Sequence, residues 1–108
     1  MNTKKVTLVT GAASGIGRAT ALKLAERGDQ VVCTDFESAQ LQEMKNLTNG
    51  ICLGADVTIE SEVEALVAAT IAEYGRLDGV VHCGCVEHKV IIGHLGCREA
   101  PSVPVVEV

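Results

Sequence analysis

Three glycines and two aspartates carry the chemistry this sequence offers. Gly11, Gly15 and Gly17 lie in TGAASGIG, Thr10 to Gly17, directly behind the apolar run Lys5-Val-Thr-Leu-Val9 and ahead of a helical pattern. Where a strand turns into a helix, several backbone N–H groups are unpaired and the macrodipole adds partial positive charge. A pyrophosphate is stabilised there without any basic side chain. Gly11 would begin the turn, Gly15 would leave room for phosphates, and Gly17 would let the helix pack close to the strand, with Ser14 and Ile16 at the same mouth. A tight turn with no ligand is the competing reading. Asp35 follows Gly17 by eighteen residues, at the end of a second strand-like run, where a carboxylate can accept hydrogen bonds from both hydroxyls of an adenosine ribose. Its charge would repel a 2′-phosphate, and neither Ser14 nor Phe36 is basic, so the pattern favours NAD over NADP. Against this stands Asp35 as an ordinary solvated turn residue. Asp56 and Val57 close a third run, where Asp56 could meet an adenine edge and Val57 pack on its face, or Asp56 could simply cap the next helix.

Such residues converge only if strands and helices alternate. Val6–Val9 reads as a buried strand bounded by Gly11, and a helix starting near Ser14 to Ile16 places Thr20, Ala21, Leu24 and Ala25 on one side before Gly28 stops it. Gln30–Thr34 is a second strand, Ser38–Asn46 a polar helix ended by the Asn49-Gly50 turn signal, and Ile51–Ala55 a third strand. Glu60–Tyr74 carries Val63, Leu66, Val67, Thr70, Ile71 and Tyr74 at steps of three and four, with Thr58, Ser61 and Glu62 offering cap chemistry and Gly75 ending the helix. Leu77–His82 is a fourth strand. The fold class that follows is α/β: a Rossmann-like βαβαβαβ parallel sheet in the order 3-2-1-4.

The totals agree. The chain has 108 residues, 47% of them apolar, with one Phe, one Tyr and no Trp, so one domain with a core of Val, Leu, Ile and Ala is expected. A net charge of −5 offers no footprint for nucleic acid. No run approaches the ~18 apolar residues of a membrane span, so no membrane partner is expected. The N-terminus lacks a signal-peptide pattern, and five cysteines make an odd count, which suits reduced thiols in the cytoplasm better than a disulfide framework.

TGAASGIG, the Asp35 that ends QVVCTD, the ADV of residues 55–57 and LDGVV of residues 77–81 together resemble the cofactor half of a classical short-chain dehydrogenase/reductase, from about Lys4 to Val86. The resemblance implies a Rossmann-fold oxidoreductase that moves a hydride between a nicotinamide cofactor and an alcohol or carbonyl. It also implies cofactor contacts at Gly11, Ser14, Gly15, Ile16, Gly17, Asp35, Phe36, Asp56, Val57, Cys83 and Gly84. The pattern breaks after the fourth strand. The family's Asn-Asn-Ala-Gly reads His82-Cys83-Gly84-Cys85 here, and Cys85 would be strained where positive φ is needed. The family's Ser and its Tyr with Lys four residues on have no counterpart: Tyr74 is the one tyrosine, Asp78 stands four residues later, and Tyr74 belongs to an apolar stripe. Family members run to well over twice this length, so the expectation is a truncated scaffold with no catalytic residues and no turnover of its own.

Residues 87–108 form a divergent tail beside the 1–86 half-domain. Pro101 and Pro104 exclude a continuous helix and demote any strand there to an edge. Val80 and Val81 would lie on an open apolar edge, a route to self-association, unless Val90–Ile92 turns back to pair antiparallel with the fourth strand. Cys83, Cys85, His88, His94 and Cys97 include zinc-type ligands, but their spacing matches no standard site, and no metal is assigned. A thiol nucleophile at Cys83 or Cys85 assisted by His82 has no fixed orienting carboxylate nearby. Three function classes stay open: an NAD(H)-binding module, half of an oxidoreductase completed by another chain, and a metal-stabilised binding protein.

Overall fold

The structure is a computed structural model that describes residues 4–56, 59–83 and 105–107. Its elements are β1 (Val6–Thr10), α1 (Gly15–Arg27), β2 (Gln30–Asp35), α2 (Ala39–Thr48), β3 (Ile51–Gly54), α3 (Glu60–Tyr74), β4 (Gly79–His82) and β5 (Val105–Glu107). The strands form one sheet in the order β3-β2-β1-β4-β5, and every pairing is parallel. The first four strands therefore have the expected doubly wound order, each element lying within two or three residues of its expected bounds.

Alternation along β1 divides the core into two layers. Val6 and Leu8 join Val32, Val80 and the α3 residues Val63 and Leu66 on one face. Val9 joins Val31, Cys33, Ala21 of α1, and Leu41 and Met44 of α2 on the other. Both faces of β1 are covered, which is why its sequence is a continuous apolar run rather than an alternating one. On α3 the buried line passes through Thr70 instead of Ile71, which is 41% exposed. The Thr70 hydroxyl donates to Leu66 O at 2.9 Å, so it enters the core already satisfied.

The helix ends follow local chemistry. Gly28 and Gly75 stop α1 and α3 at φ of 102° and 78°, and the Leu41 N–H donates to Ser38 Oγ at the start of α2, 3.1 Å away. Of the described residues expected to cap α3, Glu62 is the one that acts. The N-cap of α3 is Ile59, with no side-chain cap bond; Glu62 reaches back instead, its Oε1 accepting from Asp56 N–H at 2.9 Å. Thr58 lies outside the described residues.

The far edge needs a larger correction. β4 is not open: Val80 pairs with Val105, Val81 with Val106 and His82 with Glu107, all parallel. The expected antiparallel repair by Val90–Ile92 falls outside the described residues, and the strand that covers β4 comes from just after Pro104. Proline at the entry of an edge strand removes no ladder bond that the sheet requires. The β4 edge expected to be open is thus occupied by β5.

One polar clamp holds β4 against β1. The Val6 N–H donates to Asp78 Oδ2 at 2.7 Å, Asp78 N–H donates back to Val6 O at 2.8 Å, and Arg76 donates to both Asp78 oxygens at 2.8 and 2.7 Å. The Arg76 guanidinium, together with the Val6 N–H, holds the Asp78 carboxyl below its ordinary range against the opposing effect of burial. A depressed folded pKa means stability present above the unfolded value, ~3.9, and lost as pH falls through the folded one. Urea unfolding should show wild type more stable than Asp78→Asn at pH 7, with the gap shrinking steadily once the pH drops below ~4.

Candidate functional site

Parallel strands in register end together. Thr10 pairs with Thr34 and Asp35 with Gly54, so the carboxyl ends of β1, β2 and β3 share one rim with that of β4. Gly11, Ser14, Gly15, Ile16 and Gly17 form the turn leaving β1, Asp35 and Phe36 lie at the end of β2, and Asp56 just beyond β3. Cys83 follows β4 directly. The structure thus gathers nine of the eleven expected site residues at one rim, while Val57 and Gly84 lie outside the described residues.

The glycines differ in what they permit. A Cβ on Gly17 would overlap the Gly11 carbonyl oxygen, and one on Gly11 would sit 2.5 Å from the Cys83 carbonyl oxygen. These two positions are closed by backbone, which draws α1 down onto the end of β1 and the turn after β1 against Cys83. Gly15 is the reverse case: its φ is +57°, and an added Cβ meets nothing within 4 Å. The side-chain space at Gly15 opens outward from the turn. Ser14 is the N-cap of α1 and makes no side-chain cap bond, while the first helical bond runs from Arg18 N–H to Ser14 O at 3.2 Å. The N–H groups of Gly15, Ile16 and Gly17 therefore stand ahead of the helical ladder, with the positive end of the α1 dipole behind them.

Asp35 does more than the spacing suggested. Its Oδ2 accepts from Ala13 N–H at 3.1 Å and its Oδ1 from Phe36 N–H at 2.8 Å. Ala12 N–H donates to Thr34 O at 3.1 Å and Ala55 N–H to Asp35 O at 2.9 Å. The residue ties the glycine turn to β2, and β2 to the exit of β3. Each carboxylate oxygen has a second lone-pair direction, so acceptor capacity remains at the rim. Phe36 and Ile16 are 64% and 63% exposed, an unusual outlay of apolar surface beside a polar turn. Arg18, the cation nearest the turn in sequence, is directed at Glu43, 3.6 Å away.

Thr10 and His82 are the members that sequence reasoning passed over as site-building residues. Both are buried at the ends of β1 and β4, with Thr10 Oγ1 2.7 Å from His82 Nδ1, and Cys83 N–H donating to the same Oγ1 at 3.1 Å. A threonine closing a strand immediately before the glycine turn was the available signal. This knot aims the Cys83 carbonyl at Gly11 and leaves the Cys83 side chain in the core with Val9 and Ala12. Burial pushes the Cys83 thiol up, away from the thiolate that a nucleophile needs. What Cys83 offers the rim is backbone. Cys85, His88, His94 and Cys97 lie outside the described residues; among the described residues no group of three or more His, Cys, Asp or Glu could hold a metal.

Tyr74 lies at the other end of the sheet. Gln30 Nε2, at the first residue of β2, donates to its phenol at 3.1 Å, and burial pushes that phenol up. A proton-donating tyrosine needs the opposite shift and a place at the rim.

A doubly wound parallel sheet with a glycine turn and an acidic residue at one rim is a Rossmann-like nucleotide-binding fold. The chain belongs to the short chain dehydrogenase family, matching it over residues 5–99. It is 37% identical over 94 residues to levodione reductase of Leifsonia aquatica, covering 81% of this chain and 35% of that protein. Among solved structures it resembles a short chain dehydrogenase/reductase family oxidoreductase from Aeromonas hydrophila, with TM-score 0.78 and 27% identity over 87% of this chain and 53% of that one. The 3-ketoacyl-(acyl-carrier-protein) reductase of Brucella melitensis, complexed with NADH, gives TM-score 0.71 and 32% identity over 74% of this chain and 34% of that one. The chain spans about a third of the length of curated relatives it matches, 35% and 31% for two of them. No helix among the described residues is long and apolar enough to cross a membrane.

The contrast between the two glycines can be measured. Gly17→Ala should cost about 3 kcal/mol or more in urea unfolding, because backbone has to move. Gly15→Ala should cost only the ~1–2 kcal/mol of a left-handed residue with a Cβ.

Proposed function

We propose that this chain is the NAD(H)-binding part of an oxidoreductase acting on alcohol or carbonyl groups, and that it selects NAD over NADP. The carrying observation is the Asp35 carboxylate, which accepts from Ala13 N–H and is so tied to the glycine turn that holds Gly15. The N–H groups of Gly15, Ile16 and Gly17 would take the diphosphate, assisted by the α1 dipole. Asp35 would take the adenosine ribose hydroxyls with its remaining lone pairs, and its charge would reject a 2′-phosphate. Phe36 and Ile16 would cover apolar parts of the ligand, Asp56 and Val57 would meet adenine, and the backbone at Cys83 and Gly84 would border the second ribose. The family's use of NAD(P) and the NADH held by the Brucella melitensis neighbour support this assignment.

When bound, the nicotinamide supplies the hydride chemistry; these residues bind and orient it. No tyrosine followed four positions later by lysine occurs in residues 1–108, so the group that moves the substrate proton would come from outside them, in further polypeptide or in another chain. The 108-residue chain assayed alone with simple secondary alcohols should stay at background.

Calorimetric titration with NADH and NADPH tests the assignment. NADH should bind more tightly. Asp35→Ala should weaken NADH about tenfold or more, since a hydrogen bond to a charged group is worth ~1.5–3 kcal/mol, and should narrow the preference over NADPH. Equal indifference to both nucleotides would remove the proposal.

A further inference from the structure

Cys33 and Cys52 occupy register-paired positions on β2 and β3. Paired residues on neighbouring strands project to the same face, here the one covered by α1 and α2. Cys33 is fully buried in that core, and Cys52 packs at its margin, half-buried. Adjacent strands lie ~4.7–4.9 Å apart, inside the ~4.4–6.8 Å between Cα atoms that a disulfide bridges. The two thiols are near enough for each to bear on the ionisation of the other. Thr48 Oγ1, 4.0 Å from Cys33 Sγ, is the other polar neighbour, and its own proton goes to Met44 O at 2.7 Å.

We propose that Cys33 and Cys52 are a dithiol redox site, closed to a disulfide across β2 and β3 by a small disulfide such as oxidised glutathione. Cys52 is the entry point because it is the one that solvent reaches. Its thiolate attacks one sulfur of the glutathione disulfide, a Cys52–glutathione bond forms, and the first glutathione leaves as thiolate and takes up a proton. The Cys33 sulfur then attacks Cys52 Sγ, its proton passes to the second glutathione, and that glutathione departs as the thiol. Two thiols are oxidised and one small disulfide is reduced to two thiols, so the exchange balances and reverses with excess reduced glutathione.

The surroundings set the pace. Burial raises the Cys52 thiol, opposed by the Cys33 S–H and by Lys45 and reinforced by Glu37; burial pushes Cys33 up to about 12. The phenol of Tyr74 is the remaining titratable neighbour. Little thiolate exists at neutral pH, so closure is slow there and quickens in mild alkali. The site does not depend on the nucleotide assignment.

Trypsin separates the two residues. Cleavage after Arg27, Lys45 and Arg76 puts Cys33 in residues 28–45 and Cys52 in residues 46–76, each the sole cysteine of its peptide. The full chain, incubated with oxidised glutathione at mildly alkaline pH, quenched by alkylation in denaturant and digested without reductant, should yield these peptides linked. That product should exceed any other cysteine pairing at least tenfold, and the excess should vanish when oxidation is done in urea. Cys33→Ala should instead accumulate a glutathione adduct on Cys52. Recovery of the Cys33 peptide alkylated while other cysteines have oxidised, or the same mixture in buffer and in urea, would overturn the proposal.

Discussion

The structure depends on a backbone contact that tolerates no side chain. Gly17 of α1 rests on the Gly11 carbonyl, and Gly11 rests on the Cys83 carbonyl beyond β4. Three segments distant in sequence are thereby held at bare-backbone distance around the end of β1. A helix with an ordinary residue at position 17 would stand further from the sheet, and the amide groups ahead of its ladder would no longer converge on the rim. Close packing has a second effect, because it requires small residues behind the turn: Ala12 and Ala21 are both fully buried beneath it. The alanines of α1 contribute little apolar area but allow the helix to approach, and Leu41 and Met44 of α2 fill the remainder of that layer.

Polar groups around this contact serve position before they serve a ligand. Thr10 fixes His82 and the Cys83 backbone, and Asp35 fixes the turn against β2. Replacing Asp35 should therefore disturb geometry as well as remove acceptors, which is why comparing two nucleotides carries more information than one affinity. At the opposite rim, Asp78 and Arg76 make a clamp of the same kind between the starts of β4 and β1. With both ends of the sheet pinned by side chain to backbone bonds, the strands have one register available.

Periodicity and punctuation made most of the scaffold legible. The buried run Val6–Val9, the glycines at 28 and 75 and the three-four spacing from Val63 to Tyr74 each correspond to a physical need that few other residues meet. The edge beyond β4 was not legible, because a three-residue strand after Pro104 leaves no periodic trace, and nothing local distinguishes it from Val90–Ile92. At the α3 cap the residue type was visible in Glu62, but its partner, Asp56 N–H, depends on the path of the loop. For the site, residue types at strand ends were visible, whereas the Asp35 bond to Ala13 and the Thr10–His82 pair arise only when strands ordered by tertiary packing bring residues 22 and 72 positions apart into contact.

The central claim is that the amides ahead of α1 receive a dinucleotide diphosphate. Backbone amide resonances of 15N-labelled chain, followed through titration with NADH, test it most directly. The account predicts that the largest saturable shifts fall on Gly15, Ile16 and Gly17, with smaller ones at Asp35 and Phe36. Shifts that leave the turn unmoved, or that gather at the amino ends of the strands around Gln30 and Tyr74, would contradict it.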